Sequence, residues 1–158
     1  MMDLILWRHA EAHEGEDGLD DLERALTPRG EKQAQQMAAW LATHAPENLR
    51  IIASPAKRCQ QTTQALGQPF DTDPRLTPDQ DVTALLAAVN WADGNENARP
   101  AVLVVGHQPT LGRTAALLLS GSEANWSIRK GALWWLTQRT RHDETQTLLR
   151  TAIPAEFA

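Results

Sequence analysis

The sequence has a single cysteine, no long apolar run and no excess of basic residues. Cys59 alone cannot form an intramolecular disulfide, which is compatible with a reducing cytoplasm. No apolar run approaches the roughly 20 residues that cross a bilayer, so we expect no association with membranes. The formal net charge of -5 argues against a protein whose main work is nucleic-acid binding, because such proteins usually present a basic surface.

The first residues also lack the pattern of a secretory signal. Asp3 precedes a short apolar run and Arg8 ends it, so we expect a soluble, cytoplasmic protein. The 158 residues are 42% hydrophobic and 22% charged, which is ordinary for a globular chain that buries a core without metals or disulfides. With no repeat and no low-complexity tract, we predict one domain over residues 1–158.

Short apolar runs alternate with helical patterns along the chain. The strand candidates are LILW, RIIA, AVLVV, GALWWLTQ and TLLRTAIP, and the helix candidates are LTPRGEKQAQQMAAWLATHAP, PAKRCQQTTQALG, VTALLAAVNWA and TLGRTAALLLSG. Thr27-Pro28 and Ser54-Pro55 each resemble a cap followed by a first turn, and Pro46 ends the first helix. This alternation predicts a three-layer α/β/α sandwich with a mostly parallel central sheet.

Three connecting segments have the composition of irregular structure. The acidic stretch EAHEGEDGLDDLE, from Glu11 to Glu23, predicts an exposed loop or a mobile lid. QPFDTDPRLTPDQD is rich in proline and aspartate, and GNENARP interrupts the chain before AVLVV.

Polar groups follow each of the three most convincing strands. The first strand is followed by Arg8 and His9, the second by Ser54 and, one turn into the next helix, Arg58, and the AVLVV strand by His107. Ligands of open α/β sheets bind outside the carboxyl ends of the strands. We therefore expect two arginines and two histidines to lie close together.

This set of side chains suits a phosphoryl group. Guanidinium groups bind phosphate oxygens through paired hydrogen bonds, and a helix start adds partial positive charge. A histidine among arginines is disfavoured in its charged form, and a neutral imidazole nitrogen is a nucleophile. The pattern predicts phosphoryl transfer to His9, with His107 and the arginines stabilising the charge on the transferred group.

The motifs RHA at residues 8–10, SPAKRCQQT at 54–62 and VGHQP at 105–109 resemble the histidine phosphatase superfamily, whose fold is named after phosphoglycerate mutase. The short length, LTPRG and LTPDQDV are most similar to its small bacterial phosphohistidine phosphatases of the SixA type. The resemblance implies that His9 becomes phosphorylated and that Arg8, Arg58 and His107 complete the phosphate pocket. Ala10 stands where the family pattern has glycine, and we expect its methyl group to narrow the pocket slightly.

The resemblance further implies a phosphatase that uses neither metal nor cofactor. Larger members of the superfamily carry an acidic residue that protonates an alkoxide leaving group. In this sequence the candidates for such an acid are Glu11, Asp79 and Asp81. Imidazole leaves phosphorus more easily than an alkoxide, so a weak or absent acid favours phosphohistidine, for example on a histidine phosphotransfer domain in signal transduction. A small-molecule phosphomonoesterase and a non-catalytic phosphate-binding regulatory module remain alternatives.

Each residue also has a simpler interpretation. Arg8 could form a structural ion pair with Asp3 or Glu11, and His107 could be a satisfied turn histidine. Cys59 lacks the downstream arginine of a thiol phosphatase loop, so we expect it to pack inside a helix interface.

Overall fold

The computed structural model describes residues 2–91 and 101–158. The strands are β1 (Met2–Arg8), β2 (Leu49–Ala53), β3 (Asp71–Thr72), β4 (Ala101–Gly106), β5 (Leu133–Arg141) and β6 (Glu144–Ile153). The helices are α1 (Pro28–His44), α2 (Lys57–Gln64), α3 (Val82–Ala88) and α4 (Thr110–Ser120), with short 3-10 helices at Asp21–Glu23, Pro74–Leu76 and Ala155–Phe157. The predicted break GNENARP, residues 94–100, lies outside the described residues.

The six strands form one sheet in the order β3-β2-β4-β1-β5-β6. The pairs β1–β4, β2–β4 and β2–β3 are parallel, while β5 is antiparallel to both β1 and β6. This confirms the predicted mostly parallel sheet. Trp7 of β1 and Ala53 of β2 both pair with Val105 of β4, so the three strands end level at one edge of the sheet.

The two central strands are apolar on both faces because helices cover both faces. Successive side chains of a strand point to opposite sides, and every residue of β4 is buried. Leu4 and Leu6 pack in the cluster that includes α3 and α4 residues, whereas Ile5 and Trp7 pack in the cluster that includes α1 and α2 residues. The predicted three-layer sandwich is therefore confirmed.

Helix α1 begins as its sequence predicts. The Thr27 hydroxyl accepts a hydrogen bond from the Gly30 amide, Pro28 occupies the first turn, and the helix ends at His44. A Cβ atom at Gly30 would lie 2.0 Å from the Glu11 carbonyl oxygen, so only glycine lets the start of α1 approach the segment that follows β1 this closely.

The second helix begins later than the Ser54-Pro55 pattern predicts. Helix α2 starts at Lys57, and Ala56 at its N-cap makes no side-chain capping bond. Ser54 instead accepts a hydrogen bond from the Ala56 amide in the tight turn before the helix. The capping role predicted for Ser54 is wrong, and its hydroxyl is available to the site.

The C-terminal strands are longer than their apolar runs predict. They continue through the polar RTRHDET segment and join at His142 and Asp143, whose φ angles of 50° and 64° make a tight hairpin turn. The helices within residues 2–91 and 101–158 are each too short or too polar to span a bilayer.

Candidate active site

The ends of β1, β2 and β4 hold the site together through backbone hydrogen bonds. The His9 amide donates to the Gly106 carbonyl at 3.1 Å, and the Ser54 amide donates to the Val105 carbonyl at 3.0 Å. These bonds place His9 and His107 side by side, with ring centroids 5.3 Å apart. The structure thus brings together the histidines that the strand ends predict.

The His9 imidazole has one ring nitrogen engaged. Its Nδ1 lies 2.7 Å from the Ala10 carbonyl oxygen, and because a carbonyl only accepts, Nδ1 must carry the hydrogen. The other nitrogen, Nε2, therefore keeps its lone pair. The side chain is almost completely buried, and this burial, with smaller contributions from Arg58 and Arg8, lowers the pKa of His9 to about 3. Burial more than the arginines therefore keeps the imidazole neutral at pH 7.

The His107 imidazole is oriented by Ser54. Its Nε2 lies 2.8 Å from the Ser54 hydroxyl oxygen and 3.4 Å from the Cys59 sulfur. Since that hydroxyl accepts from the Ala56 amide, its own hydrogen is free to point at Nε2. The ring hydrogen then belongs on Nδ1, a buried atom with no hydrogen-bond partner among the described residues. Such an Nδ1–H is a donor available to an anion.

Burial also dominates the protonation of His107. It lowers the pKa of His107 to about 3, and the neighbouring His9 and Arg58 add to the effect. A satisfied turn histidine would have both ring nitrogens bonded, so the unpartnered Nδ1 disfavours that interpretation of His107.

Arg8 is held by the backbone and not by an acid. Its Nη1 donates to the Ile128 carbonyl at 3.0 Å, while Asp3 pairs with Arg150 and Glu11 pairs with Arg29. No carboxylate lies within 4 Å of Arg8 in the described part of the chain, so the structural ion pair considered above is not formed. Burial and the nearby Arg58 lower the pKa of the Arg8 guanidinium.

Arg58 extends from the first turn of α2 and is only 3% exposed. Its Nη1 donates to the Asp21 carbonyl at 2.8 Å and its Nη2 to the Asp21 carboxylate at 3.0 Å. The Nε atoms of Arg8 and Arg58 are buried and have no partner among residues 2–91 and 101–158. Two guanidinium groups and the His107 ring thus each present a donor without a protein acceptor.

Asp21 is the residue of this region that the sequence did not single out. It opens the 3-10 helix inside the acidic stretch, so this part of the predicted loop or lid contacts the site. Partial burial raises the pKa of Asp21, but the hydrogen bonds and charges of Arg58 and Arg24 outweigh that effect and leave it below its ordinary value. The acidic stretch from Glu11 to Glu23 was the available sequence signal, but it does not identify which of its acids contacts Arg58.

Glu11 and Asp81 each have a partner other than the two histidines. The Glu11 carboxylate accepts from the Thr27 hydroxyl at 3.0 Å and lies 3.6 Å from Arg29. Asp81 caps α3 by accepting from the Ala84 amide at 2.9 Å. Capping gives Asp81 a structural function that its sequence position did not reveal.

The third candidate, Asp79, lies across a cavity from Asp21, the partner of Arg58. It accepts from the Thr77 hydroxyl at 2.6 Å and lines, with Asp21 and Leu22, a cavity of about 300 Å3. Within the described residues neither Glu11, Asp79 nor Asp81 hydrogen-bonds to His9 or His107.

Ala10 and Cys59 have packing functions. The Ala10 amide donates to the Thr62 hydroxyl at 3.0 Å, and the side chain belongs to a small buried cluster with Ala12, Leu26 and Ala34. Its methyl group therefore packs in that cluster, in contrast to the expected narrowing of the pocket. Burial raises the pKa of the Cys59 thiol to about 12, and Cys59 lies in the core cluster between α2 and the sheet, as predicted.

In the regions that the structure describes, no three His, Cys, Asp or Glu side chains are grouped as metal ligands. The arrangement offers instead a neutral imidazole nucleophile beside two guanidinium groups and a second neutral imidazole. Such a site can accept a phosphoryl group and stabilise the charge on its oxygens.

Comparisons with known proteins agree with this chemistry. The family model described as histidine phosphatase superfamily (branch 1) matches residues 4–81. The phosphohistidine phosphatase SixA of Escherichia coli (strain K12) is 34% identical over an alignment of 126 residues that covers 76% of this chain and 76% of that protein. The solved structure of the protein histidine phosphatase SixA complexed with tungstate is 26% identical, with a TM-score of 0.76 over 98% of this chain and 97% of that chain. A mycobacterial glucosyl-3-phosphoglycerate phosphatase, 18% identical with a TM-score of 0.71 over 100% of both chains, shares the fold.

Proposed function

The chain belongs to the histidine phosphatase superfamily and is a phosphatase, and from that premise we propose that it hydrolyses phosphohistidine through a covalent phospho-His9 intermediate, without a metal ion. The substrate is carried by a protein such as a histidine phosphotransfer domain. The observation that carries the proposal is the hydrogen bond from His9 Nδ1 to the Ala10 carbonyl. It leaves Nε2 unprotonated in a pocket lined by Arg8, Arg58 and His107.

In the first step, the lone pair of His9 Nε2 attacks phosphorus and the bond from phosphorus to the substrate imidazole breaks. The departing imidazole takes a proton from solvent. The phosphorylated His9 ring acquires positive charge, which strengthens the hydrogen bond from Nδ1 to the Ala10 carbonyl. Arg8, Arg58 and the His107 Nδ1–H donate to the equatorial oxygens of the moving phosphoryl group.

In the second step, water attacks phosphorus and the bond from phosphorus to Nε2 breaks, which releases inorganic phosphate and restores neutral His9. The water loses one proton to solvent or to the phosphate. Both steps use the same donors, so the pocket stabilises the two transition states alike.

The state of Asp21 favours an imidazole over an alkoxide as leaving group. The Asp21 carboxylate accepts a hydrogen bond from Arg58, and its lowered pKa keeps it ionised at neutral pH. An ionised carboxylate cannot donate a proton to a departing alkoxide. This supports phosphohistidine in preference to phosphate esters.

The test compares phosphate release from a phosphohistidine peptide and from a phosphoserine peptide of matched sequence, with and without EDTA. We expect the phosphohistidine peptide to be cleaved preferentially, EDTA to have no effect, and His9→Ala to be inactive. Acid-labile phosphate that is bound to the wild-type chain after rapid quenching, and absent from His9→Ala, identifies the phosphoenzyme.

Preference for phosphoserine contradicts the proposed substrate and makes Asp79 and Glu11 the acids to replace. Phosphate binding without cleavage of either peptide contradicts the enzyme itself and favours a regulatory phosphate-binding module. Activity in His9→Ala equal to that of the wild type excludes the covalent mechanism.

A further inference from the structure

A groove adjoins the phosphate pocket and has a charge opposite to that of the chain as a whole. Its cavity measures about 590 Å3, and its lining includes the cations Arg8, Arg29, Lys32, Arg129 and Lys130 against two acids, Glu11 and Glu156. The chain carries a formal net charge of -5, so this positive surface is local. His9, Arg58 and His107 do not line the groove, and Arg8 is the residue that it shares with the pocket.

One wall of the groove is a single face of α1. Arg29, Lys32, Gln33 and Gln36 recur at helical spacing, away from the buried stripe that contains Met37 and Leu41. The wall is fixed close to the nucleophile, because the Gln33 side chain accepts a hydrogen bond from the Glu11 amide at 3.0 Å.

The opposite wall is the segment Ser127–Lys130, which connects α4 to β5, together with residues 154–156. The Gly131 amide donates to the His9 carbonyl at 3.0 Å, and the Trp7 indole donates to the Gly131 carbonyl at 3.1 Å. Gly131 has a φ of 76° and lies against Gln33, so it is also where the two walls meet. The wall that carries Lys130 is therefore tied, through Gly131, to the backbone of the nucleophile.

The charge of the groove is not neutralised by its own acids. Glu11 lies 3.6 Å from Arg29, and Glu156 lies 3.6 Å from Arg129. In the described regions no carboxylate oxygen lies within 4 Å of the Lys32 or Lys130 ammonium, and both side chains are exposed. Two lysines on facing walls are thus available to an anionic ligand.

We propose that this groove binds an acidic segment of the protein substrate next to its phosphohistidine, an inference that rests on the proposed function. A single phosphate does not fill a groove of about 590 Å3, which has room for several residues of a peptide. The amides of Gln33 and Gln36 and the hydroxyl of Ser127 match the hydrogen-bonding groups of a peptide backbone.

A nucleic acid fits the same surface less well. Among residues 2–91 and 101–158 no aromatic side chain lines the groove, so these residues offer bases no stacking platform. The negative charge of the whole chain also opposes a polyanion at long range. An acidic peptide of a few residues suits a small positive groove on an acidic protein.

The experiment uses two phosphohistidine peptides of equal length, one with aspartate and glutamate beside the phosphohistidine and one with serine and glutamine there. We expect the wild type to show kcat/KM about tenfold higher for the acidic peptide, through a lower KM, with the ratio falling as salt is raised. In the double variant Lys32→Glu/Lys130→Glu the ratio falls to about one or below. Arg141→Glu, which reverses an exposed charge at the hairpin, keeps the wild-type ratio.

A preference for the acidic peptide that survives the double reversal overturns the groove proposal, as does a wild type without preference. If neither peptide is cleaved, the proposed function fails, and fluorescence anisotropy with the unphosphorylated peptides then decides. Tighter binding of the acidic peptide that is lost only in the double variant supports the groove, and equal binding of both peptides overturns it. Binding of a short single-stranded DNA more tightly than the acidic peptide overturns the choice of a protein segment.

Discussion

Asp21 and Arg58 form an ion pair in which the carboxylate Oδ2 lies 3.0 Å from Nη2 of the arginine. The arginine is 3% exposed and the aspartate 57% exposed, so the pair connects the interior of the site to the exposed acidic stretch 11–23. In the proposed mechanism Arg58 binds phosphate, and it already has an anion from its own chain as a partner. Substrate phosphate must share Arg58 with Asp21 or displace it.

Replacing Asp21 tests this competition. We expect Asp21→Asn to bind inorganic phosphate about fivefold more tightly, because the variant removes a negative charge from Arg58 without a large change in shape. The inhibition constant of phosphate measures the effect. The control is Glu23→Gln, which removes an exposed charge from the same 3-10 helix and leaves the inhibition constant unchanged. Weaker phosphate binding in Asp21→Asn contradicts the competition and indicates that Asp21 mainly orients Arg58.

The two buried histidines predict how stability depends on pH. Their pKa values of about 3 lie below the ordinary value of about 6.5 that they recover on unfolding, so only the unfolded chain takes up protons between these values. Stability is therefore complete above about pH 6.5 and falls as the pH decreases toward 3. Two such groups lower the free energy of unfolding by about 2–3 kcal/mol between pH 7.5 and 5.5.

Urea unfolding at the two pH values measures this loss. The double variant His9→Asn/His107→Asn removes both groups and flattens the dependence, which separates their effect from that of the carboxylates. An equal slope in this variant and the wild type shows that other groups cause the loss.

Cys59 tests whether any thiol takes part in the chemistry. Burial raises the pKa of the thiol to about 12, so the reactive thiolate is absent at neutral pH. We expect Cys59→Ala to keep turnover within about threefold and to lose about 1 kcal/mol of stability through the lost contacts in the core. Phosphate release and urea unfolding of the variant are the measurements. A loss of turnover comparable to that of His9→Ala would assign the thiol a direct function.

The contact between α1 and the segment after β1 makes a sharp prediction about glycine. Gly30→Ala places a methyl group 2.0 Å from the Glu11 carbonyl oxygen, so we expect it to lose about 3 kcal/mol or more of stability. In Gly15→Ala the added methyl meets only the Arg24 side chain at 3.9 Å, and stability changes little. Thermal unfolding of the two variants checks the difference. Equal midpoints show that α1 can move away from Glu11 without loss.

The parts of the fold that local sequence determines were predicted well. The strands β1, β2 and β4 each contain an uninterrupted apolar run, and helix α1 has its cap at Thr27 and its proline in the first turn, so each was predictable without tertiary information. The C-terminal hairpin was predicted too short. The outer half of the hairpin consists of polar, mostly exposed residues. In the sequence alone such a segment resembles a loop, because the pairing of the two strands is not visible.

The arrangement within the site depended more on register. Ala53 and Val105 are paired residues of adjacent strands, which is why Ser54 reaches the ring of His107 in place of capping α2. Asp21 reaches Arg58 across 37 residues of chain, a contact that no local pattern encodes. The sequence thus predicted which side chains end the strands, but not which neighbours orient them.

The hydrogen bond from the Gly131 amide to the His9 carbonyl forms when the protein folds, so the conformational entropy of this backbone is lost before any substrate binds. Gly131 directly follows Lys130 of the groove wall, and His9 is the nucleophile of the proposed mechanism, so folding itself orders the backbone beside both sites. A substrate therefore binds to walls that are already ordered, and its binding free energy is not reduced by the cost of ordering them. A variant that loosens the α4–β5 connection is therefore expected to bind substrate more slowly, while the rate of the chemical step for bound substrate is retained.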